Sequence, residues 1–441
     1  PAGRNNGYAA SFGGPVVLPK LYDGRNRTFF HFSLDGYLER GTKDALYTIP
    51  TMANRKGDFS QLLSVDPVRY QLYDPLSVAP DPARPSFFIR QPLAGNLVPA
   101  SRHINPAYQQ YTRLLPEPNN ESGDPTREPI ENYRAVGMPN DSDYYGAATR
   151  VDHRLNDKHQ FYSRWSWTDY HEDKDDWTFM ILRGLRSTDY IRKSSSGTAD
   201  WVYVLSPSTV FHLAVAGNEF RQGNVFTVPR QFKPSDFGFP KYMDEKVGDR
   251  TTWPSLSISG YPGFGNSYPT LTRVSTLTAK SDISQVRGVH SWKAGIDLRS
   301  HRRTGGGSGR LSGLYTFTNT YTRRNSDTLT PAGNLGHSWA SFLMGIPSAA
   351  STDIVDDYAL TSPYYGIFVQ DSWRITPRLT LNLGIRMEHE FGTVERYDRM
   401  MAGFDATAKL PITDAVQAAY QRSPVPELPA SAFSVLGGSR Y

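Results

Sequence analysis

The residues of this chain most able to do chemistry are its carboxylates, histidines and glycine runs, and each cluster misses the spacing its chemistry needs. His389-Glu390 opens like the zinc-binding turn of a metalloprotease helix, but Thr393 stands where the second histidine must be. Gly305-Gly306-Gly307-Ser308-Gly309-Arg310 has the glycine of a phosphate loop without its Lys-Ser/Thr pair or a following helix, and reads as a flexible loop tip. Asp141-x-Asp143 with Gly146 and Asp152 imitates a calcium loop, yet Tyr145 occupies a ligand position and Arg150–Arg154 alternates like a strand, so the acids read as punctuation between loop and strand. His171-Glu172-Asp173-Lys174-Asp175-Asp176 offers oxygen ligands that could hold Ca²⁺, although such a run is more often a solvated loop. No Gly-x-Ser-x-Gly elbow occurs. With no cysteine, disulfides and thiolate metal sites are excluded. The expectation is therefore no enzyme activity, no catalytic residue, no cofactor-binding residue and no metal site.

The elements carrying these residues follow from pattern. The hydrophobic fraction is 38%, aromatics make up 13% with 26 Tyr and 22 Phe, and mean hydropathy is −0.52. No run approaches the ~20 apolar residues of a spanning helix. Low hydropathy does not speak against a membrane barrel, whose strands place apolar residues only at alternate positions. The 48 basic and 43 acidic residues give a net charge of +5. The basic residues stand singly rather than as a stripe, which argues against nucleic acid.

Alternation recurs in pairs flanking tight turns. Tyr365, Ile367 and Val369 alternate with Gly366, Phe368 and Gln370. After a turn at Arg374–Arg378, Leu379, Leu381, Leu383, Ile385 and Met387 alternate with Thr380, Asn382, Gly384, Arg386 and Glu388. A period of two puts the aliphatic set on one face and the polar set on the other, and a run of ~10 residues crosses a bilayer at barrel tilt. The same pattern surrounds Asn156-Asp157-Lys158, Ser206-Pro207-Ser208 and Arg287-Gly288-Val289-His290, and less cleanly joins Tyr8–Val16 to Thr28–Tyr37. These give about ten strands.

Between the hairpins lie long segments: Tyr37 to Tyr144, Thr168 to Thr198, Phe220 to Thr272 and Ser300 to Tyr364. Tight turns thus alternate with long loops, so strands running up and down collect all turns on one side and all loops on the other. That asymmetry belongs to outer-membrane barrels, with short periplasmic turns and long extracellular loops. The fold class expected is all-β, an antiparallel transmembrane β-barrel, of which residues 1–441 form a part and residues 38–143 one long extracellular loop. Trp165, Trp167, Trp201, Trp292 and Trp373 read as an interfacial girdle or as core aromatics. Arg150, Arg164 and Arg386 read as members of ion-pair ladders inside the barrel. The loop between Tyr37 and Tyr144, with Phe87-Phe88, Tyr108 and Tyr111, reads equally as a surface for ligand capture and as a compact cap over the mouth.

Several short motifs resemble those of a known family. They run in order as Phe12-Gly13-Gly14-Pro15, Arg27-Thr28-Phe29-Phe30, Arg55-Lys56-Gly57-Asp58-Phe59-Ser60, Tyr73-Asp74-Pro75, Asn96-Leu97-Val98-Pro99-Ala100-Ser101-Arg102, Leu115-Pro116-Glu117-Pro118-Asn119, Arg150-Val151-Asp152-His153, Phe368-Val369-Gln370-Asp371-Ser372-Trp373 and Leu379-Thr380-Leu381-Asn382-Leu383-Gly384-Ile385-Arg386. Together the chain resembles the Oar-like branch of TonB-dependent transporters. The resemblance implies a barrel of about 22 strands, an N-terminal plug and C-terminal strands outside this chain, and coupling to the TonB-ExbB-ExbD system through that plug. It implies residence in the Gram-negative outer membrane, with lipid outside and an unidentified solute within. The expected function is energy-coupled uptake of a large or scarce solute. The alternative is a non-transporting outer-membrane surface or adhesion protein that binds partners through its long loops.

Because the chain has no cysteine, a single introduced one carries a spin label at a known place. Labels at Leu381, Leu383 and Ile385 should be reached by a lipid-restricted probe. Burial of all three in a dry protein interior would overturn the reading of the fold.

Overall fold

A computed structural model describes residues 3–103, 111–112, 115–121, 123–173, 188–226, 233–248, 250, 253–263, 271–306, 309–325, 334–353 and 357–440. Ten long strands account for the alternating segments: β1 (Arg4–Pro15), β2 (Thr28–Arg40), β3 (Asp141–Arg154), β4 (His159–Asp173), β5 (Thr188–Ser206), β6 (Thr209–Phe226), β7 (Leu271–Arg287), β8 (His290–Gly306), β9 (Asp357–Thr376) and β10 (Leu379–Glu390). Each pairs antiparallel with the strand before it, so the sheet runs in chain order from β1 to β10. The two-residue strand Val394–Glu395 adds to β9 at Leu360 and Thr361.

The turns are as tight as the pattern requires. Asn156 Oδ1 accepts the backbone N–H groups of Lys158 and His159 between β3 and β4. Gly288, at φ +61°, supplies the left-handed residue of the two-residue turn between β7 and β8. Between β9 and β10 the turn is only Pro377-Arg378, narrower than Arg374–Arg378, because the ladder continues to Thr376 and Leu379 across a bulge. The β1–β2 connection is longer and folds its own small hairpin, Val17–Leu18 against Tyr22–Asp23.

Strand length departs from expectation. β5 and β9 have 19 and 20 residues, not ten. At ~3.3 Å per residue and ~45° of tilt, 20 residues rise ~45 Å, well beyond a ~30 Å hydrocarbon layer. The upper halves therefore stand above the membrane, where polar side chains on both faces hide the alternation. In consequence β4 and β5 flank only residues 174–187, rather than the gap from Thr168 to Thr198.

Register assigns the faces. One holds Phe30, Phe32 and Leu34 of β2, Phe161, Trp165 and Trp167 of β4, Trp201 of β5, Phe211, Leu213 and Val215 of β6, and Ile283 and Leu277 of β7. It continues through Trp292, Ile296 and Leu298 of β8, Ile367, Val369 and Trp373 of β9, and Leu381, Leu383, Ile385 and Met387 of β10. Among the described residues nothing covers it: Ile385 is 72% exposed and Leu277 60%. Water tolerates apolar patches of a few hundred Å², so a face this wide is a lipid face. Toward the turns it ends in rings, with His159 stacked on Tyr203 at 4.3 Å and His290 on Trp373 at 5.5 Å. All five tryptophans read as a girdle or core lie here, none in a packed interior.

The packed interior is elsewhere, in the long loops. Residues 41–140, 227–270 and 307–356 share one hydrophobic core, including Phe59, Leu72 and Met138 from the first, Trp253 and Ile258 from the second, and Trp339 and Phe342 from the third. Tyr111 meets Trp253 edge-on at 5.4 Å, and Phe59 lies 4.7 Å from His337. Ser255–Ile258 pairs in parallel with Leu314–Phe317, which pairs with Ala349–Ser351. The three loops thus form one cap at the outer ends of the strands. The last segment also folds: Gly437–Arg440, turn-like in composition, belongs to the strand Leu436–Arg440 that pairs with Gly403–Lys409.

Phe59→Ala should destabilise the cap by about 3–5 kcal/mol. Hydrogen exchange should rise together in all three loops while the strand ladder stays protected; a rise confined to residues 41–140 would mean the loops do not share a core.

Candidate functional site

The polar face of the sheet and the cap above it are the two surfaces able to meet a solute. On the polar face, alternate positions of neighbouring strands put opposite charges in register. His212 of β6 stands between Asp200 of β5, with Nε2 2.6 Å from Oδ2, and Asp282 of β7, with Nδ1 3.1 Å from Oδ2. Asp282 also meets Lys293 of β8 at 3.2 Å. Asp297 of β8 takes Arg299 at 2.6 Å and Lys280 of β7 at 3.4 Å. The Arg299 guanidinium lies 4.7 Å over the Tyr364 ring, whose hydroxyl accepts from Arg386 at 3.2 Å, and Arg386 pairs with Glu388. A chain of ionic and polar contacts therefore crosses from β5 to β10. Such a surface is stable against water and not against hydrocarbon, which makes it the wall of a wet lumen.

Two of the three arginines read as ladder members are paired. Arg150 bonds Asp152 through Nε and Nη2 at 2.8 and 2.7 Å and lies over Tyr162, and Arg386 holds Glu388. Arg164 makes no ion pair among the described residues, because its cross-strand neighbours are Arg150 and Thr198, neither of them an acid. Asp200, His212 and Asp282 were not singled out from the sequence. Each sits at a polar position of its strand, but only the register brings them together.

The same geometry places the described residues of the candidates for metal or phosphate chemistry. Asp141 opens β3, where the loop ends, and Asp143 follows within the strand; both face the lipid side, while Gly146 and Asp152 face the lumen. Arg40 engages Asp143 and approaches Asp141 at 4.0 Å. His171 lies in β4 and meets Asp189 of β5 at 2.8 Å; Lys174-Asp175-Asp176 falls outside the described residues. Gly305 and Gly306 are no loop tip: they end β8, paired with Tyr358 and Asp357. His389-Glu390 closes β10. Among the described residues no three His, Asp or Glu side chains converge as a metal site.

In the cap, the motifs behind the family resemblance are structural. Arg55 is buried and donates to the carbonyls of Pro50, Leu115 and Pro116. Gly57 has φ +84°, and a Cβ there would fall 2.9 Å from the Val98 carbonyl oxygen. Asn96 is fully buried, accepting from Leu72 N at 2.8 Å and donating to the Tyr70 carbonyl at 2.8 Å. Arg102 pairs with Asp74 at 2.8 Å. Of the aromatics considered for ligand capture, Tyr111 is 1% exposed core, Phe87 is exposed on the strand Arg84–Ile89, and Tyr108 lies outside the described residues. The compact cap is what the fold builds.

Where the three loops meet, a pocket of about 270 Å³ opens between Tyr70, Glu128, Tyr261, Asn319 and His337. Tyr70 donates to Glu128 at 2.8 Å, and burial, then that carboxylate, raises its pKa. Burial raises the Tyr261 phenol as well. His337 Nδ1 is enclosed with no hydrogen-bond partner among the described residues, and desolvation pushes its pKa down to about 4. No sequence signal marked this histidine, which lies in a loop without periodicity. Its lining offers hydrogen-bonding groups and aromatic surface, and among the described residues it presents no nucleophile paired with a base.

The model of a family described as "Outer membrane beta barrel domain" matches residues 1–432. No curated protein matches the chain in sequence. Among solved structures, the outer membrane transporter YddB from Escherichia coli superposes with a TM-score of 0.41 at 11% identity, covering 88% of this chain and 34% of that one. The ferric-catecholate import receptor Fiu from E. coli K12, in its closed form, gives 0.36 at 8% identity, covering 100% and 45%. The siderophore receptor PiuA from Acinetobacter baumannii gives 0.35 at 10%, covering 88% and 42%. The chain spans less than half the length of each of these structures.

His337 gives the cap a pH dependence of definite sign. Its folded pKa lies below the ordinary 6.5, so the unfolded chain binds the extra proton between those values. Cap stability should hold above pH ~6.5 and fall as pH drops toward ~4. Thermal melts followed by cap exchange should show this slope, reduced in His337→Gln; an unchanged slope in the variant would assign it to other groups.

Proposed function

Since the chain belongs to the outer membrane beta barrel domain family and so resides in the Gram-negative outer membrane, we propose that it supplies wall and cap to a TonB-dependent transporter that takes up a large or scarce solute. The observation that carries the reading is the cap. Three long outer loops pool their apolar residues into a single core above a polar, ion-paired wall. A passive pore gains nothing from a folded mass at its mouth, whereas a receptor that must capture a dilute solute gains a preorganised surface.

On this reading the solute first meets the cap and then passes along the polar face. The sheet is open among the described residues, with β1 paired only to β2 and β10 only to β9. Unpaired edges are untenable in hydrocarbon, which supports a reading in which further strands close the wall and the plug and TonB contact lie elsewhere in the transporter. The second reading, a surface protein binding partners through the same cap without transport, shares the fold and differs in energy coupling.

Cells expressing the full-length protein should deplete at least one solute from spent medium that a deletion strain leaves behind. That depletion should stop when the proton-motive force is dissipated or TonB is removed. Unchanged depletion, or none, would leave the binding-only reading.

A further inference from the structure

The lipid face is not uniform. Where β5, β6, β7 and β8 leave the apolar band on the cap side, their lipid-facing side chains shrink to Ser195, Gly197, Gly217, Ser275 and Ser300. The result is a groove of about 560 Å³, with Leu277, Glu219 and Arg302 also in its lining. Its floor is bare backbone: a Cβ on Gly217 would meet only Leu277 Cδ1, at 3.9 Å. Trp165, opposite Gly197 on β4, donates from Nε1 to Ser195 at 3.3 Å and stands at the groove's edge.

Charge changes at the same level. In the two residue rows above the apolar band, β4 to β8 present Lys193, Arg221, Arg273 and Arg302 against Asp169 and Glu219. Lys193 pairs with Asp169 at 2.8 Å, and Glu219 is shared by Arg221 and Arg273. Arg302 has no acid partner among the described residues and is exposed. Four cations against two anions leave an excess of two positive charges at the edge of the hydrocarbon. A barrel wall needs no groove there for its own packing; side chains of ordinary size would fill it.

We infer that this groove is a docking site for a phosphorylated lipid of the outer leaflet, its acyl chain lying along Gly197 and Gly217 between Trp165 and Leu277 and its phosphate meeting Arg302. Arginine suits the role because its planar guanidinium donates two parallel hydrogen bonds to phosphate oxygens. The site faces away from the lumen and is independent of whatever solute the protein handles.

Native mass spectrometry of the full-length protein in detergent, titrated with bisphosphorylated lipid A and with its monophosphorylated form, tests this. The bisphosphorylated lipid should bind more tightly. Arg302→Glu should weaken that preference about tenfold, and Gly217→Phe, which fills the groove, should weaken both lipids. Lys158→Glu, at the opposite end of the strands, should change neither. Arg302→Gln gives the same readout with a smaller effect if the charge reversal impairs folding. Equal affinity for both lipids, retention of the preference in the Arg302 variants, or displacement of lipid by millimolar inorganic phosphate would overturn the assignment.

Discussion

In hydrocarbon, a backbone N–H or C=O without a protein partner finds no water to replace it, at several kcal/mol per group. That constraint organises everything else here. It requires continuous ladders through the membrane, which the ten strands supply from β1 to β10. Continuous ladders impose a period of two on the side chains. Leu383 must then face what Ile385 faces, and Arg386 must face the other way. The polarity of the two solvents selects the residues on each face, and the tight turns keep one end of the strands within reach of a single solvent.

The cap answers the same constraint outside the membrane. A loop of 100 residues carries backbone groups and apolar side chains that water alone does not order. The described residues of the three long loops pool their apolar side chains into one core. Buried polar groups then serve as staples. Arg55 closes three carbonyls, Asn132 clamps both backbone groups of Ile49, and Asn96 ties Leu72 to Tyr70. His337 breaks this economy, with an enclosed nitrogen left unpartnered among the described residues beside the pocket. An unsatisfied buried group of this kind is expected where a solute or water completes the site.

Electrostatics separates the two sides of the wall. Inside, acids and bases pair both along single strands and across neighbouring ones, which ties the strands together without giving the wall a field of one sign. Outside, just above the apolar band, cations outnumber anions between β4 and β8, at the level where lipid headgroups begin. The inward pattern suits passage of a hydrated solute, and the outward one suits anchorage in a leaflet of phosphorylated lipid.

The amino-acid sequence determined the strands, their order and their faces, because a period of two is a local property that survives without knowledge of neighbours. The alternation of Leu379–Met387 fixed its own lipid face, and Gly288 and Pro377 marked turns by backbone chemistry alone. Strand ends were illegible above the membrane, where both faces are wet and alternation carries no polarity signal, so β5 and β9 run far past their apolar runs. Only tertiary structure decided what the loops do. Tyr111 reads equally as a capture residue and as part of a cap until Trp253, 142 positions along the chain, is seen to pack against it. Gly217 and Arg302, or Asp200 and Asp282, become sites only through register, since a groove and a charge network are properties of several strands side by side and no single segment encodes them.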